Sequence, residues 1–195
     1  MKLNKLFIIL LTLKLHASDT VDMIVSTTGN EKSNAISDEL IDIGITAENR
    51  QKIAEFLQKL LANEYVIYTK TLKYHWNVIG EFFGPLHTLF GEQYKELLSI
   101  IDEVAERIRA LGFKSTGTLQ EFLSNTQLKE VPGKNPVYND MIKDLLTDHE
   151  TIIKQIRGSI DITTQTNDVG TNNFLSDLIE KHEKIAWMLR AHLLK

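Results

Sequence analysis

The stretch HWNVIGEFFGPLHTLFGEQYKELLSIIDEVAERIRALG, from His75 to Gly112, joins the end of one helical pattern to the whole of a second. Gly80, Gly84 and Pro85 interrupt the pattern, and proline suits the first turn of a helix. Apolar residues then recur at three- and four-residue spacing until Gly112. The stretch therefore predicts two helices, A and B, with a short connection between them.

Helix A extends upstream of this stretch, and a long connection follows it. Thr46 is a suitable N-cap for a helix that begins at Ala47 and runs towards His75. The segment 112–136 carries several glycines and prolines and one brief apolar run, Leu119 to Leu123. This pattern predicts a short helix within a long crossover.

Two more helical patterns complete the chain. We expect helix C to run from Met141 to Ile160 and helix D to open at Thr171 and continue to Leu193. No alternating run of consequence indicates a β-strand. Short A–B and C–D turns with one long B–C crossover predict an all-α fold, a ferritin-like four-helix bundle spanning residues 46–195.

The composition limits the chemistry that this chain can perform. It has 195 residues, 43% of them hydrophobic, which suffices for one domain with a sizeable core. It has no cysteine, so carboxylates and six histidines are the candidate metal ligands. Residues 19–45 contain six acidic side chains and a single lysine, a composition expected of a flexible tail that repels phosphate backbones. The composition therefore argues against nucleic acid as a partner.

The N-terminal sequence MKLNKLFIILLTLKLHASDT has the order of a secretory signal peptide over residues 1–18. Lysines precede an apolar run from Leu6 to Leu13, and small residues follow at Ala17 and Ser18. The run is far shorter than the roughly 20 residues that a membrane-spanning helix needs. We expect export to the periplasm or outside the cell; the alternative is a cytoplasmic protein that keeps this apolar extension.

Asp102 and Glu106 are one helical turn apart, so their carboxylates share a face of helix B and are candidate ligands for one hard cation. His87 precedes Asp102 by fifteen residues, or roughly 22 Å along a straight helix, which is too far for one metal ion. If they cooperate, antiparallel B helices of two chains must bring them together, with His75 folding in beside His87. The alternative is a solvated acidic pair that forms surface ion pairs with Arg107 and Arg109.

The usual di-iron centre inside a single four-helix bundle uses two Glu-x-x-His pairs. No histidine in helices A to D has a glutamate three residues before it, so such an intrachain centre is close to excluded.

Several separated segments resemble the Dps proteins, the miniferritins of bacteria and archaea. They are HWNVIG at 75–80, LHTLF at 86–90, DEVAERIRALG at 102–112, GTLQEF at 117–122, DHE at 148–150 and DVGTNNFLSDLIEKHEKIAWMLR at 168–190. The resemblance covers about residues 45 to 194. It implies a hollow homododecamer with ferroxidase centres at dimer interfaces, which oxidise Fe(II) with hydrogen peroxide or oxygen and store Fe(III) mineral inside.

The resemblance also assigns ligands. His75 and His87 match the two histidines of the ferroxidase centre, and Asp102 and Glu106 match the carboxylates contributed by the other subunit. Trp76 matches a tryptophan beside the centre, with packing as its expected main role. His149 and His182 are expected to be structural or surface groups.

Three further positions are interpreted from the pattern and the resemblance. Trp187 is expected in the core. Asp148 and Asp168 are candidates for an acidic entry pore, with a helix-terminus role as the alternative for Asp168.

Gly91 departs from the resemblance, because the family normally has Asp or Glu four residues after the second histidine. The glycine removes an oxygen donor, and the neighbouring Glu92 points about 100° further round the helix. We therefore expect a weakened iron site that Gly91→Asp would strengthen.

The two functional hypotheses are a ferroxidase and a catalytically weak, metal-binding or structural shell; DNA compaction is a distant third.

The signal-peptide interpretation makes a prediction about the mature protein. Removal of residues 1–18 takes away three lysines and no acidic residue, which moves the formal charge from −4 to −7. Mass spectrometry of protein from its native host should find a chain that begins near Asp19. An intact chain from Met1 to Lys195 in the cytoplasm would show that the segment is retained.

Overall fold

The computed structural model describes residues 41–193, and the expected signal peptide and most of the acidic tail lie outside them. Six helices follow one another along this part of the chain. They are α1 (Ala47–Asn77), α2 (Phe83–Ala110), α3 (Leu119–Asn125), α4 (Tyr138–Arg157), α5 (Ile160–Gln165) and α6 (Val169–Ala191). Within the described residues there is no β-strand, so the all-α prediction is confirmed. None of the helices in this range is long and apolar enough to cross a membrane.

The four long helices form the bundle, with α1 packed mainly against α2 and α4 mainly against α6. The short α3 crosses beside α1, where Phe122 stacks on Tyr65 with ring centroids 4.3 Å apart. Leucine, isoleucine and phenylalanine side chains from all four long helices fill a continuous core. The long side chains Phe90, Leu57 and Leu97 are completely buried in it.

Local sequence signals set two of the helix starts. The Thr46 side chain accepts a hydrogen bond from the Asn49 backbone N–H at 3.3 Å, as expected of an N-cap. Thr118 and Glu121 form a capping box at the start of α3, in which each side chain satisfies the other's backbone N–H. Both helices begin where the sequence predicts.

The region between α4 and α6 corrects the prediction for helices C and D. Helix C was expected to reach Ile160, but α4 ends at Arg157 and Gly158 forms its C-cap. Ile160 begins the separate helix α5. The last helix begins at Val169, two residues before the predicted Thr171, because Asp168 and not Thr171 acts as its cap.

A buried polar layer lies inside the bundle. Glu64, His149 and His182 come from three helices and are completely buried. His182 Nε2 lies 3.0 Å from Glu64 Oε1, and the Nδ1 atoms of the two histidines are 2.9 Å apart. Burial, with the neighbouring His182 as a smaller cause, holds the pKa of His149 well below its usual value, so this imidazole is neutral. Of the two expected roles, structural or surface group, burial favours the structural one for both histidines.

Asp148 and Asp168 are both covered by their own subunit. Lys70 bonds to Asp148 inside the bundle and also lies 2.9 Å from Asp144. Burial raises the pKa of Asp148 to about 6, although Lys70 opposes the shift. Asp168 is 2% exposed and accepts hydrogen bonds from Arg107 Nη2 and the Thr171 backbone N–H. These contacts support the helix-terminus role of Asp168, and both carboxylates are buried within the single subunit.

Asp168→Ala should destabilise the subunit by about 2 to 4 kcal/mol, because it removes a helix cap and leaves the Arg107 guanidinium without its buried carboxylate. Asp168→Asn keeps an acceptor for the cap and should lose only part of this free energy. Denaturant unfolding at equal assembly state measures both. Asp177→Ala, an exposed site on the same helix, is the matched control; if Asp168→Ala costs no more than this control, the cap has no energetic weight.

Candidate metal centre

His75 and His87 meet where α1 ends and α2 begins. His75 lies in the last turn of α1, and His87 lies one turn inside α2. Their rings stack with centroids 3.8 Å apart and planes inclined by 22°. The structure therefore brings together the two histidines that the sequence predicts as ligands.

Two reciprocal hydrogen bonds fix this pair. His75 Nδ1 lies 2.7 Å from the His87 carbonyl oxygen, and His87 Nδ1 lies 2.8 Å from the His75 carbonyl oxygen. A carbonyl oxygen only accepts hydrogen bonds, so each Nδ1 must carry the proton. In a neutral imidazole the lone pair is then on Nε2, the atom left for a metal ion. The backbone thus presets both histidines for Nε2 coordination.

Aromatic side chains surround the histidine pair. Phe83 stacks on His87 with centroids 5.1 Å apart, and Tyr94 lies 5.2 Å from the His75 ring. Both histidines are only partly buried, so the pair lies near the surface of the subunit. The adjoining Trp76 is 68% exposed, so its own subunit does not supply the packing expected of it.

Gly91 lies against the same pair and is buried. A Cβ atom at this position would be 3.1 Å from Cε1 and 3.2 Å from Nδ1 of His75. Glu92, the alternative donor, is exposed. The close approach of Gly91 to His75 was missed by sequence reasoning, because it depends on how α1 packs against α2.

Asp102 and Glu106 lie further along α2 and are both exposed. The alternative, in which these carboxylates form surface ion pairs with Arg107 and Arg109, is not observed. Arg107 instead donates to Asp168 and Thr171, and Arg109 donates to the Phe113 carbonyl oxygen. The two carboxylates therefore remain available on one face of α2, one turn apart.

Within residues 41–193 of a single chain, no three His, Asp or Glu side chains are arranged to hold a metal ion. The two histidines and the two carboxylates are separate halves of the predicted site. That a second chain completes the site stays a prediction from the spacing along helix B. Trp187, expected in the core, is 63% exposed, so its prediction was wrong for the single subunit.

Comparisons with known proteins agree with this architecture. The ferritin-like domain family matches residues 54–195. The chain is 42% identical over 154 residues to an uncharacterized low temperature-induced protein of Nostoc sp., covering 78% of this chain and 86% of that relative. It is also 34% identical over 143 residues to DNA protection during starvation protein 2 of Bacillus anthracis, covering 73% of this chain and 97% of that one.

Solved structures give the same assignment. The Dps protein of Vibrio cholerae O1, described as a member of a broad superfamily of ferritin-like diiron-carboxylate proteins, superposes with a TM-score of 0.76 and 36% identity. That match covers 83% of this chain and 100% of the other. DpsC of Streptomyces coelicolor has a TM-score of 0.80 and 28% identity, covering 85% and 96%. Because the family match spans most of the chain and the Dps relatives align over nearly their whole length, this chain belongs to the Dps family of ferritin-like proteins.

Proposed function

We propose that this protein is a Dps-type ferroxidase, which binds and oxidises Fe(II) at sites between subunits and stores the iron in a hollow homo-oligomer, a dodecamer. Membership of the ferritin-like family supports iron storage in general. The histidine pair carries the proposal of oxidation, because its two Nε2 lone pairs are held ready for a metal ion by backbone hydrogen bonds. Iron is the substrate and cargo of this site.

The four ligands suit ferrous iron. Imidazole nitrogen binds Fe(II), and carboxylate oxygen favours the harder Fe(III) that forms on oxidation. In the proposed dimer, His75 and His87 of one subunit face Asp102 and Glu106 of the other across a two-fold axis. Each interface then holds two equivalent sites, and the exposed carboxylates of α2 become ligands without any intrachain rearrangement.

The protein contributes placement and charge to the reaction. Each Fe(II) loses one electron, and hydrogen peroxide takes up two electrons and two protons from solvent as its O–O bond breaks to give two water molecules, so two Fe(II) ions are consumed for each peroxide. The reciprocal hydrogen bonds hold the imidazoles in place, which lowers the reorganisation needed when iron binds. Two carboxylates offset the charge of one divalent cation. Removing Fe(II) and peroxide together would suppress hydroxyl-radical formation.

A catalytically weak, metal-binding shell is the second candidate, and the absence of a carboxylate at position 91 favours it. An assay of Fe(II) and peroxide consumption on the assembled protein separates the two. Stoichiometric loss of both reactants that depends on His87 supports the ferroxidase. Binding without oxidation supports the shell.

The interchain site predicts complementation between inactive variants. Asp102→Ala subunits and His87→Ala subunits should each be inactive alone, but a mixed dimer regains one complete site from the His87 of one chain and the Asp102 of the other. Random mixing should restore about a quarter of the wild-type sites, because half of the two-fold interfaces are mixed and each regains one of two sites. Fe(II) oxidation rates after subunit exchange measure this.

The control for complementation mixes Asp102→Ala subunits with subunits that carry both substitutions. No interface in that mixture can assemble a complete site, so activity should stay at the level of the single variants. If the first mixture is equally inactive while mass spectrometry shows that subunits have exchanged, the ligands do not meet between chains.

A further inference from the structure

Gly91 occupies an unusual place for a glycine. It lies in the interior of α2, where glycine is among the poorest helix formers. Its backbone is not among the positive-φ glycines of the described chain, so it does not need the conformational freedom of glycine. The remaining reason for a glycine at this position is the close approach of another group to its backbone.

That group is the His75 imidazole. A Cβ atom at position 91 would lie 3.1 Å from His75 Cε1, closer than the roughly 3.5 to 4.0 Å of a favourable carbon–carbon contact. The ring has little room to retreat. Its Nδ1 donates to the His87 carbonyl oxygen at 2.7 Å, and its face stacks on the His87 ring at 3.8 Å. A Cβ atom at position 91 therefore requires the ring to move by a few tenths of an ångström, against its hydrogen bond and its stack.

We propose that Gly91 is a positioning residue, whose missing side chain lets the His75 imidazole lie against α2 with Nδ1 on the His87 carbonyl oxygen. This inference rests on the proposed function for its consequence, which is a metal site whose ligands are two imidazoles and two carboxylates. The Cβ atom that any carboxylate at position 91 would need lies against the His75 ring. The ligand set is then richer in nitrogen, which favours imidazole-preferring cations such as Fe(II), Co(II) and Zn(II) over Mg(II) or Mn(II).

The two interpretations of Gly91 predict opposite outcomes. If glycine only marks a lost ligand, Gly91→Asp should tighten metal binding, as the sequence alone predicts, and Gly91→Ala should leave it unchanged. If glycine positions His75, both substitutions should weaken binding, because both introduce a Cβ. Gly91→Ala is the sharper variant, since it adds the Cβ without adding a ligand and favours the helix.

Gly84→Ala is the matched control. Gly84 also lies in α2, and a Cβ atom built there has nothing within 4 Å beyond its own helix backbone and its neighbours Phe83 and Pro85. It makes the same chemical change one turn before His87 without crowding the ring. A loss seen with Gly91→Ala but not with Gly84→Ala therefore reports on the contact with His75.

The first measurement is solid-state NMR of the metal-free, assembled protein with ¹⁵N-labelled histidine, with His75 assigned by comparison with His75→Gln. We expect the wild type and Gly84→Ala to show His75 protonated on Nδ1 and hydrogen-bonded. Gly91→Ala and Gly91→Asp should shift or lose that signal while retaining their helical circular dichroism. An unchanged His75 signal in Gly91→Ala would overturn the positioning role.

The second measurement is Co(II) binding, followed by its visible absorption and by calorimetry. We expect both Gly91 variants to bind about tenfold to a hundredfold more weakly, the usual cost of losing a group that orients a ligand. Tighter binding by Gly91→Asp would overturn the inference. If the His75→Gln variant binds Co(II) as tightly as the wild-type protein does, the proposed function fails. The NMR result still decides whether Gly91 positions the ring.

Discussion

The reciprocal hydrogen bonds between His75 and His87 are the constraint on which the candidate centre depends. Each imidazole donates to the backbone of the other helix, so the end of α1 and the start of α2 are fastened to each other by the same side chains that would bind metal. These hydrogen bonds hold together the two ends of the short connection between the helices. They also leave both Nε2 atoms with free lone pairs.

The residues that stabilise the bundle are different from the proposed metal ligands. Leucine, isoleucine and phenylalanine fill the core, and its few ionisable groups are paired, as with Lys70 and Asp148 or His182 and Glu64. The proposed ligands lie towards the surface of the subunit and contribute little to this core. When two chains each contribute partly exposed ligands to one site, those ligands can change with little loss of fold stability. Gly91 is one such change.

The sequence predicted what depends on local chemistry and periodicity. Thr46 predicted the start of α1, because an N-cap depends only on residues close to it in sequence, and the apolar run Leu119 to Leu123 predicted the short helix α3. The α4–α5 break was missed because Ile160 continues the apolar spacing, although Gly158 had already ended the helix. The burial of Trp187 was also predicted wrongly, because spacing shows that a residue shares the apolar face but not how much its own subunit covers.

The candidate metal centre could be predicted to a similar extent. Proximity of His75 and His87 follows from a short connection between antiparallel helices, and their separation from Asp102 follows from helix length. The direction of each Nδ1 and the contact with Gly91 do not follow, because they depend on the rotation of α1 against α2. Tertiary packing determines that rotation, and no spacing within one helix encodes it.

The closeness of Gly91 to His75 also restricts the alignment of α2 against α1. A shift of α2 by one residue would bring Phe90 or Glu92 to the position that Gly91 now occupies against the imidazole ring, and each carries the Cβ atom that crowds it. Apolar packing alone tolerates such slips more readily, since neighbouring aliphatic side chains can exchange places in a core. Steric exclusion at a single glycine therefore distinguishes the correct alignment of the two longest helices from its nearest competitors.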